Sequence, residues 1–196
     1  MKRVLLLLSP GFEELEAITP LDLLRRAGIK VISAALDSNL TVTGSHGISV
    51  LAETTLEKAL SESFDMVILP GGPGVEPLRK DPRVLQLVRH AHQNGILVAA
   101  ICAAPLILAD ANILNDHVIT SFPGIRPKLE GNIEAYSEAR VVVDGNVITS
   151  RGAGTAEEFS FQLIETLLGA KVSEAIREQI VARQLPISSD PIPPRL

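Results

Sequence analysis

Cys102 is the only cysteine in the chain. It stands where a continuous apolar run, Ile96 to Ile101, gives way to a small-residue segment, Ala103 to Ala111. A side chain at such a strand-to-helix turn is held at the edge of a sheet, as in the nucleophile elbow of hydrolases. A helix N-terminus there would lower the thiol pKa and favour the nucleophilic thiolate. Ala99, Ala100, Ala103 and Ala104 are small enough to let a sharp turn form. A buried, inert cysteine is equally common for this residue type, and position alone leaves both readings open.

Other groups that could do chemistry follow the first apolar run. Glu13 and Glu14 suit a solvated first turn of a helix, stabilised by its dipole. Glu16, between Leu15 and Ala17, could point back towards the strand ends. A carboxyl beside a thiol could be protonated and hydrogen-bond the sulfur, or move protons as acid and base. Gly71-Gly72 reads as a plain turn, or as backbone N–H groups that join the N–H of Ala103 in an oxyanion hole. No glycine-rich segment has Walker or dinucleotide spacing. His90 and His92 are two apart and do not share a helix face, so no zinc pair is expected. His117 reads as a surface residue at the start of a strand. His46, in a hairpin turn, is placed near a subunit interface or site mouth.

These groups need a frame to hold them. Val4 to Leu8 is apolar without alternation, as in a parallel strand buried on both faces. Glu14 to Ala27 then reads as a helix stopped by Gly28, and Ile29 to Leu36 as the next strand, a βαβ unit with a right-handed crossover. A hairpin (Leu40–Thr43, Ile48–Leu51), a short helix (Thr55–Leu60), a strand (Met66–Leu69) and a helix (about Asp81–Gln93) follow. After Cys102 come its helix, a strand at Val118–Ser121, and a hairpin over Val141–Thr149 with Asp144-Gly145 at the turn. Helices to about Leu168 and over Val172–Arg183 close the pattern. Strands alternating with helices imply an α/β sandwich around a mostly parallel sheet, whose ligands sit beyond the carboxyl ends of the strands. The loops after Leu8, Leu69, Ile101 and Ser150 carry nearly all the unusual residues. One domain is expected over residues 1–185, with a Pro-rich tail over 186–196.

Composition narrows the function classes. Apolar residues make up 46% of the 196, enough for a substantial core, while aromatics are only 3%, too few for base-stacking platforms. The net charge of −5 would repel a phosphate backbone, so nucleic acid is an unlikely partner. A single cysteine can form neither an internal disulfide nor a multi-cysteine zinc site. The N-terminal apolar stretch is too short for a membrane span, and Glu13, Glu14 and Glu16 stand where a signal cleavage site would be. A cytoplasmic protein is expected.

Together the loops resemble the ThiJ/PfpI superfamily, also called the DJ-one superfamily, over about residues 2–182. The motifs are Pro10-Gly11-Phe12-Glu13-Glu14-Leu15-Glu16-Ala17, Arg25-Arg26-Ala27-Gly28-Ile29-Lys30-Val31, Leu69-Pro70-Gly71-Gly72, Ala99-Ala100-Ile101-Cys102-Ala103-Ala104-Pro105 and Thr149-Ser150-Arg151-Gly152-Ala153-Gly154-Thr155. Within the superfamily the chain looks most like the branch of the Parkinson-associated and YajL-like proteins. The resemblance implies a flavodoxin-like three-layer sandwich and a homodimer. It implies a reactive Cys102 with Glu16 as its partner carboxyl, and backbone donors at Gly72 and Ala103. It puts Arg26 in an anion-binding patch near the pocket and beside the dimer interface, with Gly71, His46 and Phe122 lining the same pocket. It implies no metal and no cofactor.

The activity so implied is that of a cysteine enzyme of the glyoxalase III or deglycase kind, acting on reactive 2-oxoaldehydes or glycated adducts. The alternative is a non-enzymatic oxidative-stress sensor or redox-regulated chaperone working through Cys102. A cysteine peptidase is disfavoured, because Phe122 stands where some members have a histidine. His46 stands where the human-like branch has an arginine, which weakens the anion patch. Gly44 and Ala52 replace that branch's further cysteines, so any redox response must run through Cys102.

Overall fold

Alternate residues of the first apolar run face two different cores. Leu5 and Leu7 belong to one, and Val4, Leu6 and Leu8 to the other. This is why the run shows no hydrophilic side: both faces of its strand are covered. The chain is described here by a computed structural model over residues 1–183.

The elements in its first half are β1 (Arg3–Leu8), α1 (Glu14–Arg26), β2 (Lys30–Ala35), β3 (Thr41–Thr43), β4 (Ser49–Leu51), β5 (Thr54–Thr55), α2 (Leu56–Ala59), β6 (Met66–Leu69), α3 (Val75–Lys80) and α4 (Pro82–Gln93). The second half holds β7 (Leu97–Ile101), α5 (Pro105–Asp110), β8 (Val118–Ile119), α6 (Arg126–Leu129), β9 (Ala135–Tyr136), β10 (Val141–Asp144), β11 (Val147–Ser150), α7 (Ala156–Leu168) and α8 (Ala170–Gln179).

The fold is α/β, with a seven-stranded sheet in the order β10-β11-β7-β6-β1-β2-β5, in which β10 alone is antiparallel. Residues of α2, α3, α4 and α5 pack on one face of the sheet, and residues of α1, α7 and α8 on the other. The parallel register brings Leu8, Leu69, Ile101 and Ser150 to one edge, so the loops after β1, β6, β7 and β11 lie side by side. Among the described residues no helix is long and apolar enough to cross a membrane.

Several expectations are corrected by the structure. The helix after Cys102 begins at Pro105, not Ala103. Cys102 has φ +63, which no helix accommodates, whereas Pro105 suits a first helical position because it needs no partner for an N–H. Between the expected strand and helix the structure adds a further helix, α3, not anticipated from the sequence pattern, with Pro77 in its first turn. Thr54–Thr55 adds a short edge strand before α2, and Ala135–Tyr136 pairs in parallel with β8 outside the main sheet. The last helix spans Ala170–Gln179 rather than Val172–Arg183, since Gly169 at φ +91 separates it from α7 and Val181 at φ +56 follows its end. The expected tail, 186–196, lies outside the described residues.

The double-sided burial of β1 has a direct consequence. Leu6 is fully buried, so Leu6→Ala should cost about 3 kcal/mol in urea unfolding, through lost burial and the cavity left behind. Leu51 is 72% exposed, and Leu51→Ala should cost less than about 1 kcal/mol in the same assay.

Candidate active site

Cys102 follows β7 directly, and its backbone is held in the left-handed region at φ +63, a conformation that costs a non-glycine residue about 1–3 kcal/mol. Hydrogen bonds from neighbouring elements hold it there. The Cys102 N–H donates to the Ser150 carbonyl at 2.9 Å, and the Phe122 N–H donates to the Cys102 carbonyl at 2.9 Å. Ser150 is itself fixed: its hydroxyl lies 2.7 Å from that of Thr155 and donates to the Arg140 carbonyl at 2.8 Å. The turn aims the sulfur at the ends of the neighbouring strands.

Glu16 reaches the same place from the first turn of α1 and is fully buried. Its Oε2 accepts the Gly71 N–H at 2.8 Å. Its Oε1 is buried without a conventional partner, and the Cys102 thiol lies within hydrogen-bonding reach of the carboxyl. Gly71 is the hinge of this contact. A Cβ on it would fall 2.5 Å from Glu16 Oε2 and 2.7 Å from Cys102 Cβ, so only glycine lets the carboxyl and the thiol meet. The N–H groups of Ala103 and Gly72 lie near enough to the sulfur to favour its charged form. A Cβ on Gly152 would lie 3.7 Å from the Phe122 ring, 3.9 Å from Glu16 Oε1 and 4.0 Å from the sulfur. The bare backbone of Gly152 and the half-exposed ring of Phe122 therefore form the approach to the pair.

The electrostatics correct the expected low thiol pKa. Burial, reinforced by the charge and hydrogen bond of Glu16, pushes the Cys102 thiol up to about 12, against the weaker pull of the Ala103 and Gly72 N–H groups. Burial likewise raises Glu16 to about 7, opposed by its bonds to Cys102 and Gly71. Two neighbouring acids in a dry site cannot both ionise, so the pair carries at most one negative charge across the neutral range. Charge on either partner belongs to both.

The remaining candidates are distributed unevenly. Gly72, Ala103, Gly71 and Phe122 gather at Cys102 and Glu16. The N–H of Gly71, however, is spent on Glu16 and cannot also hold an anion. Arg26 does not reach the site within its own chain: it stands ten residues beyond Glu16, roughly 15 Å along α1, and pairs with Asp22 at 2.8 Å. His46 is on the exposed hairpin turn, and its Nδ1 is bonded to Glu14 at 2.8 Å, so its ring serves a carboxylate and not an open anion patch. Glu14 is not solvated as expected but 6% exposed. Burial would raise its pKa, yet hydrogen bonds from the His46 side chain and backbone hold it at about 2. His117 is not a surface residue either, for it packs edge-on to His92 with ring centroids 5.2 Å apart.

With this geometry, the comparison with known proteins is direct. A model of the DJ-1/PfpI family matches residues 2–166. The chain belongs to the DJ-1/PfpI family. It is 42% identical over 183 residues to Drosophila melanogaster protein DJ-1beta, covering 92% of this chain and 98% of that one. The crystal structure of Drosophila DJ-1beta superposes with a TM-score of 0.90 at 39% identity, over 93% of this chain and 99% of that structure. The Danio rerio Parkinson disease protein 7 homolog is 38% identical over 93% of this chain and 98% of its own length. A Caenorhabditis elegans relative, 33% identical over 89% of this chain and 94% of its own, is named a glutathione-independent glyoxalase.

The reasoning from residue types missed Gly152, Ser150 and Thr155 as parts of this DJ-1/PfpI site. The dense run of small and hydroxyl residues after β11 was the available signal, but only the sheet register brings it against Cys102.

The raised Glu16 pKa sets a sign for stability against pH. Glu16 holds its proton up to about pH 7 when folded, against an ordinary 4.5, so the folded state binds more protons in that window. Wild-type stability should therefore fall as pH rises from 4.5 to 7, by up to about 3 kcal/mol. Glu16→Gln is neutral throughout and should gain on wild type over this window, the difference levelling off above it. Urea unfolding at pH 5 and pH 8 measures the effect.

Proposed function

We propose that the chain is a cofactor-independent cysteine enzyme acting on reactive 2-oxoaldehydes or their adducts, as a glyoxalase or deglycase. The observation that carries the reading is the buried contact between the Glu16 carboxyl and the Cys102 thiol, with the Gly72 and Ala103 N–H groups at the sulfur. The relative named as a glyoxalase supports a small carbonyl substrate.

With methylglyoxal the sequence of steps would be as follows. Glu16 as carboxylate takes the thiol proton while the sulfur adds to the aldehyde carbon. The oxygen of the adduct, held by the Gly72 and Ala103 N–H groups, receives that proton and becomes a hemithioacetal. Glu16 then removes the hydrogen on the same carbon and returns it to the neighbouring keto carbon, while the hydroxyl proton passes to the keto oxygen, which leaves the thioester of lactate. Water cleaves the thioester, releasing lactate and the Cys102 thiol. Methylglyoxal and one water become lactic acid, with no outside redox partner. The high thiol pKa fits this order, because the proton leaves only as the sulfur attacks, with its acceptor already in contact.

Oxidation sensing is the second reading, and it draws on the same N–H donors, which would also hold the oxygens of a sulfinic acid. We further propose that the protein is cytoplasmic and works as a homodimer. The exposed Leu15 and Ile18, three apart on one face of α1, support a second copy as partner.

Cys102→Ala and Glu16→Gln should each lower lactate formation from methylglyoxal at least about 100-fold, with circular dichroism unchanged. Wild-type turnover in both variants would sink the enzymatic reading. A two-oxygen mass gain after mild peroxide, absent in Cys102→Ser, would then favour the sensor.

A further inference from the structure

Gly152 is a glycine that its backbone does not require. Its φ of +162 and ψ of −171 are extended and open to any residue. Its N–H and carbonyl are both bonded to the Thr155 hydroxyl, at 3.1 Å and 2.8 Å, and neither bond depends on a missing Cβ. A Cβ would also meet no obstacle. Its nearest neighbours would be Phe122 Cδ2 at 3.7 Å, Glu16 Oε1 at 3.9 Å and Cys102 Sγ at 4.0 Å, all ordinary contact distances. At Gly71, by contrast, the same carboxyl and cysteine exclude one. What the glycine at 152 leaves is space, bordered by a ring edge, a carboxylate oxygen and the sulfur.

The ring is fixed beside this space in two ways. The Phe122 N–H donates to the Cys102 carbonyl at 2.9 Å, so the ring is carried on the backbone that carries the nucleophile. Its other edge lies close over Gly124, where a Cβ would fall 3.1 Å from Cε1 and 3.4 Å from Cδ1. That second bare residue lets the ring fold down on its own loop with the Cδ2 edge turned to Gly152. Ring, carboxyl and sulfur belong to one chain, so a second copy packed on α1 leaves their contacts in place.

Once the sulfur has added to an aldehyde carbon, the substituent on the neighbouring keto carbon stands three bonds away. Three extended bonds span about 3.8 Å, which brings that substituent to the edge of the Gly152 space. Building on the carbonyl chemistry above, we propose that the Gly152 space and the Phe122 ring form the subsite for this substituent, and that the chain favours 2-oxoaldehydes carrying an aromatic group over methylglyoxal. A ring meeting the Phe122 ring edge-on or offset gains more than the burial of a methyl group. The bonds made and broken are those of the methylglyoxal reaction. Phenylglyoxal and one water become mandelic acid, and the Cys102 thiol is regenerated.

The test is kcat/KM for phenylglyoxal and for methylglyoxal in wild type, Phe122→Ala and Gly152→Ala. Wild type should favour phenylglyoxal. Phe122→Ala keeps the backbone bond to Cys102 and should lower the phenylglyoxal-to-methylglyoxal ratio at least about fivefold, through loss of the aromatic contact and its burial. The change should fall mainly on KM, because the substituent touches the ring equally in the ground and transition states. Gly152→Ala should be at least as stable as wild type in urea unfolding, since its backbone suits alanine. Its methyl group occupies the space and should lower the ratio by a similar factor. A wild-type ratio at or below one, or a ratio that either variant leaves unchanged, would overturn the subsite while the thiol chemistry stands. Turnover of neither substrate by wild type would overturn both.

Discussion

A carboxyl with no solvent exposure must find its partners inside the protein, and for Glu16 these are the Gly71 N–H and the Cys102 thiol. That requirement shapes everything around it. It demands a glycine at 71, since a Cβ there would occupy the space of both the carboxylate oxygen and the cysteine Cβ. It demands that α1 start just after β1, so that its first turn lies over the strand ends. It also ties the charge of the thiol to that of the carboxyl, so that neither can be described alone.

The sheet supplies the rigidity the contact needs. Glu16, Gly71, Cys102 and Gly152 arrive from four separate loops, yet each loop leaves a strand hydrogen-bonded to its neighbour in the order β11-β7-β6-β1. The unfavourable φ of Cys102 is sustained by bonds to Ser150 and Phe122, residues from two other segments. Strain at a reactive residue persists only when its surroundings over-determine it. Here the surroundings are the centre of the sheet, where β1, β6 and β7 contribute buried residues to both cores.

The α1 N-terminus shows how one short segment serves two environments. Glu13 caps the helix, Glu14 ties down the hairpin through His46 and Ser45, and Glu16 turns inwards to the thiol. Three acids within four positions therefore have different surroundings. Burial dominates at Glu16 and raises its pKa, whereas hydrogen bonds dominate at Glu14 and lower it.

Sequence by itself determined the α/β layering, because unbroken apolar runs such as Val4 to Leu8 can only be strands covered on both sides. It also determined that Cys102 follows a strand directly and that Glu16 lies in the first turn of the helix after another strand, since chain order places them there. The motifs of the loops added the family and the pairing of the two. Tertiary structure alone decided the rest, for these outcomes depend on contacts between residues far apart in the chain. Helix-dipole reasoning at Cys102 favoured a low thiol pKa, but burial against Glu16, 86 positions away, reverses the sign. Glu14 resembled any solvated helix-start acid until the hairpin closed over it. Arg26 shares a motif with its neighbours, but within its own chain α1 carries it to the far end from the thiol, paired with Asp22. Local pattern sets which elements form, while the dielectric and the partners of a buried group exist only once the loops have been packed together.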